Sequence, residues 1–279
     1  MSASLRLGYW LLIAPALGAM LVFYVWPLTQ VLWLSVTEPY PGLQNYERML
    51  ESRVIHRIWW TTLEVCVITT LVTVTLGYAV AYAMTIVGEG QRTGMMFCVL
   101  LSLWLSVLIR AFAWVMLLRG NGVINEGLMG IGLIDQPLRL VRNEIGVLIG
   151  MVHFMLPLAV LPIYANMIGI RPQLLSAARG LGASPARAFL LVFLPLSKPG
   201  IIAATILVFV FSLGFFITPA LLGGGKVVMI SEYIRVSFEE TLRWGQATML
   251  STVLLFAVFL ALGLVARLVD LRTVFGAAR

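Results

Sequence analysis

The sequence is poor in charge. Asp, Glu, Lys and Arg make up 11% of its 279 residues, against about 25% in water-soluble domains, and 61% of it is hydrophobic. That balance excludes a soluble globular fold. Cysteine is scarce as well: Cys66 and Cys98 lie in or beside apolar runs, in no metal-type spacing, and read as small apolar fillers. The two histidines, His56 and His153, are far apart and offer no metal-ligand set. No Gly-x4-Gly-Lys-Ser/Thr phosphate loop occurs. The glycine-rich GEGQRTG at 88–94 lacks the lysine and reads as a tight turn between apolar runs. No Ser/His or Cys/His constellation is evident, and His153, one turn before Pro157, reads as a packed or backbone-bonded side chain. The chain therefore has no catalytic group set, and any ATP-driven role needs a separate ATPase.

What the sequence does have is six apolar stretches, at about 9–36, 63–87, 95–118, 145–169, 200–222 and 249–267. Each is long enough to cross a bilayer core, which takes about 20 helical residues. A membrane β-barrel would show short alternating segments instead. The expectation is an all-α membrane protein of six transmembrane helices. The first apolar run, from Leu7 to Leu34, far exceeds the hydrophobic core of a signal peptide and reads as a retained span. Six spans put both termini on one side, together with the loops 88–94 and 170–199. That side carries nine Lys/Arg and the opposite side carries nine, but the first has less loop sequence and so a higher basic density. The positive-inside rule then places both termini in the cytoplasm.

The loop 170–199 contains Arg171, Arg179, Arg187 and Lys198 but no acid. Leu174, Ala177, Ala178 and Leu181 recur at i, i+3, i+4 and i+7, a short apolar stripe on one helix face. Gly182 follows where a left-handed cap residue belongs. Ser184-Pro185 then reads as an N-cap followed by proline at the first helical position, before a second stripe at Ala186, Phe189, Leu190 and Phe193. Leu194-Pro195 is expected to disturb that second helix, and Pro199-Gly200 to lead into the fifth span. Helix, sharp turn, helix, with an alanine face and basic flanks, suits a knob for a partner's groove. A helix pair resting on anionic lipid headgroups suits the same pattern.

The stretch SAARGLGASPARAFLLVFLPLS at 176–197 resembles the EAA loop of the membrane subunits of ATP-binding-cassette importers, whose pattern is E-A-A-x3-G-x9-I-x-L-P. Ala177, Ala178, Gly182, Leu194 and Pro195 match, Val192 stands at the isoleucine, and Ser176 replaces the glutamate. Any contact that the family's glutamate makes does not carry over; Ser176 is instead expected to bond a free backbone N–H near the helix start. PALGAMLVFYVWPL at 15–28, NYERML at 45–50, LGYAVAYAM at 76–84, VLIRAFAWVMLLRGNGVIN at 107–125, LPLAVLPIYANM at 156–167 and SLGFFITPALLGG at 212–224 are similar to the spermidine/putrescine branch of these permeases.

The resemblance implies a type I importer permease fold, with Ser176, Ala177, Ala178, Arg179, Gly182, Leu194 and Pro195 in a cytoplasmic coupling loop at 171–200. It implies a first helix and extracytoplasmic segment at 1–60, a permease core at 61–267 and a cytoplasmic tail at 268–279. The implied partners are a second permease subunit, two ATPase subunits that hold the ATP and Mg, an extracytoplasmic substrate-binding protein and membrane lipid. No cofactor bound by this chain and no nucleic acid is implied. The implied site is the bacterial inner membrane, and the implied cargo a small organic solute, foremost a polyamine. The alternative is an ion-coupled secondary transporter or channel subunit. Such proteins place ionisable residues deep in their spans and often show two related halves, whereas here such residues are few and no half-repeat is clear.

Proline and glycine interrupt two spans. Pro157 and Pro162 precede Tyr164 and Asn166, while Gly214 and Pro219 flank Phe215 and Phe216, with Phe211 one turn earlier. Irregular backbone at membrane depth belongs in protein or along a cavity, so these five polar and aromatic residues are candidate pathway residues, and the aromatic rings among them either cation contacts or an apolar gate. Two charges fall inside spans. Arg110 lies 16 residues beyond Gly94, about 24 Å of helical rise, and Glu64 is expected at a similar depth. They are expected either to pair across the outer part of the bundle or to leave Arg110 snorkelling to headgroups.

Overall fold

The computed structural model describes residues 3–268. Residues 269–279, nearly all of the expected tail, with Asp270, Arg272 and Arg279, lie outside the described residues. Among the described residues the chain is helical, without strands. α1 (Ala3–Met20) joins α2 (Trp26–Thr37) through a π-helical turn at Leu21–Val25. There follow α3 (Gln44–Glu51), α4 (Arg53–Ile86), α5 (Glu89–Trp104), α6 (Val107–Leu118), α7 (Val123–Gly130) and α8 (Glu144–Met167). After α9 (Pro172–Gly180) come α10 (Pro185–Ala188), a second π-helical turn at Phe189–Phe193, α11 (Leu194–Gly214), α12 (Ile217–Leu222), α13 (Ile230–Glu239) and α14 (Trp244–Leu268). Among the described residues, six helical stretches are long and apolar enough to cross a membrane: Leu12–Thr37, Arg53–Ile86, Val107–Gly130, Glu144–Met167, Pro185–Gly214 and Trp244–Gly263.

Three expected spans differ in detail. The second starts at Arg53, ten residues earlier than the expected 63, because α4 runs on past the apolar stretch. The expected third span, 95–118, is not one helix. Leu105 and Ser106 take extended ψ values of 137° and 135°, so α5 stops and α6 starts afresh. The expected fifth span, 200–222, breaks after Gly214, where Phe215 turns extended at ψ 125°.

The expected disturbance at Leu194-Pro195 is absorbed without a break. Proline lacks an N–H, and its ring clashes with the carbonyl four residues back. Leu194 reaches instead to the Phe189 carbonyl, five residues back, and this widened turn carries the helix past Pro195. The same device precedes Pro27, where the Trp26 N–H reaches the Leu21 carbonyl. Pro185–Gly214 is thus one helical run, and the short second helix of the loop continues directly into the fifth span.

The chain forms two compact units, residues 1–56 with 233–259, and residues 57–232 with the remainder. By contact, therefore, most of the sixth span groups with the first 56 residues rather than with the rest of the expected core at 61–267. In the first unit, Ser35 Oγ meets Tyr46 OH at 2.9 Å, Asn45 donates to the Glu38 carbonyl, and Gln246 donates to Tyr233 OH. Arg235 pairs with Glu239 at 2.8 Å and Glu240 at 3.0 Å.

The second unit is built on α8 against α11. Ala159, Val160, Ile163 and Met167 of α8 are buried with Ala204 and Val208 of α11 and with Ala81 and Met84 of α4. Gly200 lets α11 approach α8 closely, since a Cβ there would lie 2.7 Å from Asn166 Cβ and 3.1 Å from the Pro162 carbonyl. Polar ties also join its elements. Tyr78 OH meets Ser197 Oγ at 3.1 Å, and Thr62 Oγ1 accepts the Ile230 N–H at 2.8 Å.

Candidate functional site

Two places in the second unit combine exposed or unusual chemistry with a fixed backbone. The first is the turn between α9 and α10. α9 ends as a Schellman motif: the Gly182 N–H bonds the Arg179 carbonyl at 2.9 Å and the Ala183 N–H bonds the Ala178 carbonyl at 3.1 Å. Gly182 has φ +90°, a conformation that Cβ-bearing residues disfavour, and no atom beyond its chain neighbours lies within 4 Å of where a Cβ would stand. Ser184 caps α10, its hydroxyl accepting the Arg187 N–H at 3.3 Å, with Pro185 at the first helical position. The cap signals at Gly182 and Ser184-Pro185 therefore act as expected.

Three of the four stripe residues on α9 point away from the chain's own core. Leu174, Ala177 and Leu181 are exposed, Leu181 to 90%, while Leu175 and Ala178 face inward. Arg171, Arg179 and Arg187 are exposed beside it. The exposed tip is thus apolar, with guanidinium groups beside it. One expectation fails here. The Ser176 hydroxyl donates to the Pro172 carbonyl at 3.4 Å instead of accepting a free N–H, because it sits one turn inside the helix, where a carbonyl is the nearer group. Leu194 and Pro195 stand just beyond the π-helical turn, so they shape the helix that carries α10 rather than the exposed tip.

The second place lies where the two broken spans meet α8. Arg110, one turn into α6, is 7% exposed. Its Nε and Nη1 are buried without a hydrogen-bond partner. The guanidinium carbon sits 4.3 Å from the centre of the Phe154 ring, and Phe154 lies 4.4 Å from Phe215, tilted by 32°. Phe215 is the residue at which α11 breaks, and its carbonyl accepts the Ser231 hydroxyl at 2.9 Å. A buried cation–π contact is worth about 2 kcal/mol, far less than the solvation a guanidinium loses on burial. His153 continues the cluster, its ring 5.5 Å from Trp114 and its Nδ1 unpartnered.

The expected Arg110–Glu64 pair is absent: no ion pair joins the two, and Glu64 is exposed on α4 while Arg110 is buried. The expectation of matched depth counted one unbroken helix from Gly94, and the break at Leu105-Ser106 removes that premise. Nor does Arg110 snorkel to a surface.

The five candidate pathway residues do not converge. Tyr164 lines a cleft of about 390 Å³ behind α9, with Tyr82, Arg92, Leu175 and Phe193. Asn166 is at the α8–α11 crossing beside Gly200. Phe215 is at the other end of that helix pair, against Phe154, with Phe216 next to it in the break; Phe211 is exposed. Phe154 escaped the sequence reading because an aromatic residue in an apolar span carries no mark of its partner. The break at Leu105-Ser106 carries neither glycine nor proline; Ser106 ahead of an apolar run is its one signal, and the Ser106 side chain makes no cap bond.

Residues 74–273 match the family model of the binding-protein-dependent transport system inner membrane component. The chain is 32% identical over 256 residues to the spermidine/putrescine transport system permease protein PotB of Haemophilus influenzae, covering 89% of this chain and 85% of that protein. It shares its fold, with a TM-score of 0.75 at 22% identity, with a bacterial ABC transporter involved in the import of the acidic polysaccharide alginate, over 92% of this chain and 96% of that one. A second structure, of a bacterial alginate ABC transporter in complex with an alginate pentasaccharide-bound periplasmic protein, aligns with a TM-score of 0.74 at 22% identity, over 90% of this chain and 92% of that one.

Proposed function

The chain belongs to the family of binding-protein-dependent transport system inner membrane components, and on that premise we propose what it carries and how it is driven. It is a multi-pass inner membrane protein and a permease subunit of an ATP-driven importer. Its cargo is a polyamine of the spermidine/putrescine class, a reading supported by the likeness to a spermidine/putrescine permease over most of both chains.

The observation that carries the mechanism is the exposed, Schellman-capped α9, whose residues match the coupling pattern of ATP-binding-cassette permeases. Ala177 lets a groove close on the exposed face of the helix, Leu181 fills an apolar floor, and Arg171, Arg179 and Arg187 meet acidic walls. The groove belongs to a separate ATPase subunit, one for this permease and one for a related second permease. ATP and Mg bound there supply the driving energy. Because α10, the π-helical turn and α11 are one continuous run, a push on the α9–α10 turn is passed into the fifth span. The turn and both termini lie in the cytoplasm, which the higher basic density of that side supports. An extracytoplasmic binding protein delivers the polyamine to the opposite face.

The test is ATP hydrolysis by the complex in nanodiscs, with the cognate binding protein added empty or loaded with spermidine. Spermidine-loaded protein is expected to stimulate hydrolysis, and replacing Leu181 with Asp to abolish the stimulation. Equal hydrolysis with empty and loaded protein contradicts the cargo assignment. Normal stimulation of the Leu181→Asp variant contradicts the docking role of α9.

A further inference from the structure

A buried guanidinium with two unpartnered nitrogens in a chain that imports cations calls for a reason. Resting on the importer reading above, we propose that Arg110 is a charge barrier that shuts the resting pathway to cations. Three observations converge on it. The Arg110 Nε and Nη1 are sealed from solvent and lack a hydrogen-bond partner, so the charge is not cancelled locally. One face of the Phe154 ring is taken by Arg110 and the ring packs tilted against Phe215, so the aromatic wall that would draw a cargo cation is already occupied by the chain's own cation. And α6 and α12 pack together, each beginning at a helix break, so the two segments beside these rings can shift without unwinding a span.

A buried positive charge beside the resting pathway repels any cation that approaches, as positive groups in selective pores do. The barrier is conditional. Repulsion between two charges falls fourfold as the effective permittivity rises from about 20 near protein to about 80 in water. When the α6–α12 region opens and wets Arg110, a polyamine passes a screened charge. When it closes, the charge is again unscreened, and small cations such as K⁺ are held back along with the cargo.

The experiment uses the complex of this permease with its partner permease and ATPase, reconstituted in liposomes without ATP or binding protein. K⁺ and chloride leaks are measured separately for the native complex and for Arg110→Gln, Arg110→Met and Arg110→Lys. Removing an unpaired buried charge relieves a desolvation cost, so the Gln and Met variants assemble with thermal stability at least equal to the native complex. Both are expected to leak K⁺ on the order of tenfold faster with chloride unchanged, while the Lys variant stays tight. K⁺-tight Gln and Met variants overturn the proposal. So do K⁺ and chloride leaks that rise together, which mean lost packing, and a Lys variant as leaky as Gln, which means that shape and not charge makes the seal. The leak assay contains no polyamine. Absence of ATP-driven spermidine uptake by the native complex would overturn the cargo assignment and leave the leak result to stand or fall by itself.

Discussion

Gly182 and Arg110 show two ways in which one residue is held against local preference. At Gly182 the cost is in the backbone. With φ +90° and open space around the missing Cβ, a substitution meets no neighbour, and the whole penalty is conformational. Gly182→Val is expected to insert and accumulate normally, to lose about 1 kcal/mol or more of local stability at the turn, and to lose association with the ATPase on co-purification. Gly182→Asn, which tolerates positive φ better, is expected to keep most of that association. Full transport by the Val variant at normal expression would contradict the cap geometry. At Arg110 the cost is desolvation. Because Glu64 is exposed and makes no ion pair with it, the double-mutant cycle of Arg110→Gln with Glu64→Gln is expected to be additive within about 0.5 kcal/mol in thermal unfolding of the purified complex. A larger coupling would restore the pair.

At the scale of elements, the design is helices that are interrupted without being lost. The two π-helical turns, each just ahead of a Trp-Pro or Leu-Pro pair, carry spans past prolines that would otherwise break them. α8 and α11 then close on each other through Gly200. Gly200→Val would place a Cβ 2.7 Å from Asn166 Cβ, and is expected to lower stability by about 1–3 kcal/mol, read as an earlier melting transition of the complex. Gly90→Val, on α5 with nothing within 4 Å, is expected to show no such packing loss. An unchanged melting point for Gly200→Val would contradict the close α8–α11 approach.

What the sequence made legible follows the same line. Apolar runs about 20 residues long and the Gly182, Ser184-Pro185 punctuation are local signals; the structure keeps the punctuation and four of the six runs, and breaks those at 95–118 and 200–222. The break at Leu105-Ser106, the continuity of α10 with α11 and the seating of Arg110 on Phe154 depend on what packs against what, which no window along the chain reports. Glu64 and Arg110 looked like partners because opposite charges in spans invite pairing. The helix break and the outward face of Glu64 decided otherwise.

For the molecule as a whole, the proposed orientation is open to direct test. A single cysteine at Ser184, with Cys66 and Cys98 replaced, is expected to resist a membrane-impermeant thiol reagent in intact cells and to react once the membrane is opened. A cysteine at Asp135, on the opposite side, is expected to react in both. Labelling of the Ser184→Cys variant in intact cells would reverse the orientation and remove the docking role of α9 together. The most direct measurement of the central claim is uptake. Liposomes holding the two permeases and the ATPase, with ATP inside and the binding protein outside, are expected to accumulate labelled spermidine. That accumulation is expected to vanish without ATP and without the binding protein, and to be indifferent to ion gradients. Accumulation that persists without ATP and follows an imposed proton or sodium gradient would contradict the account.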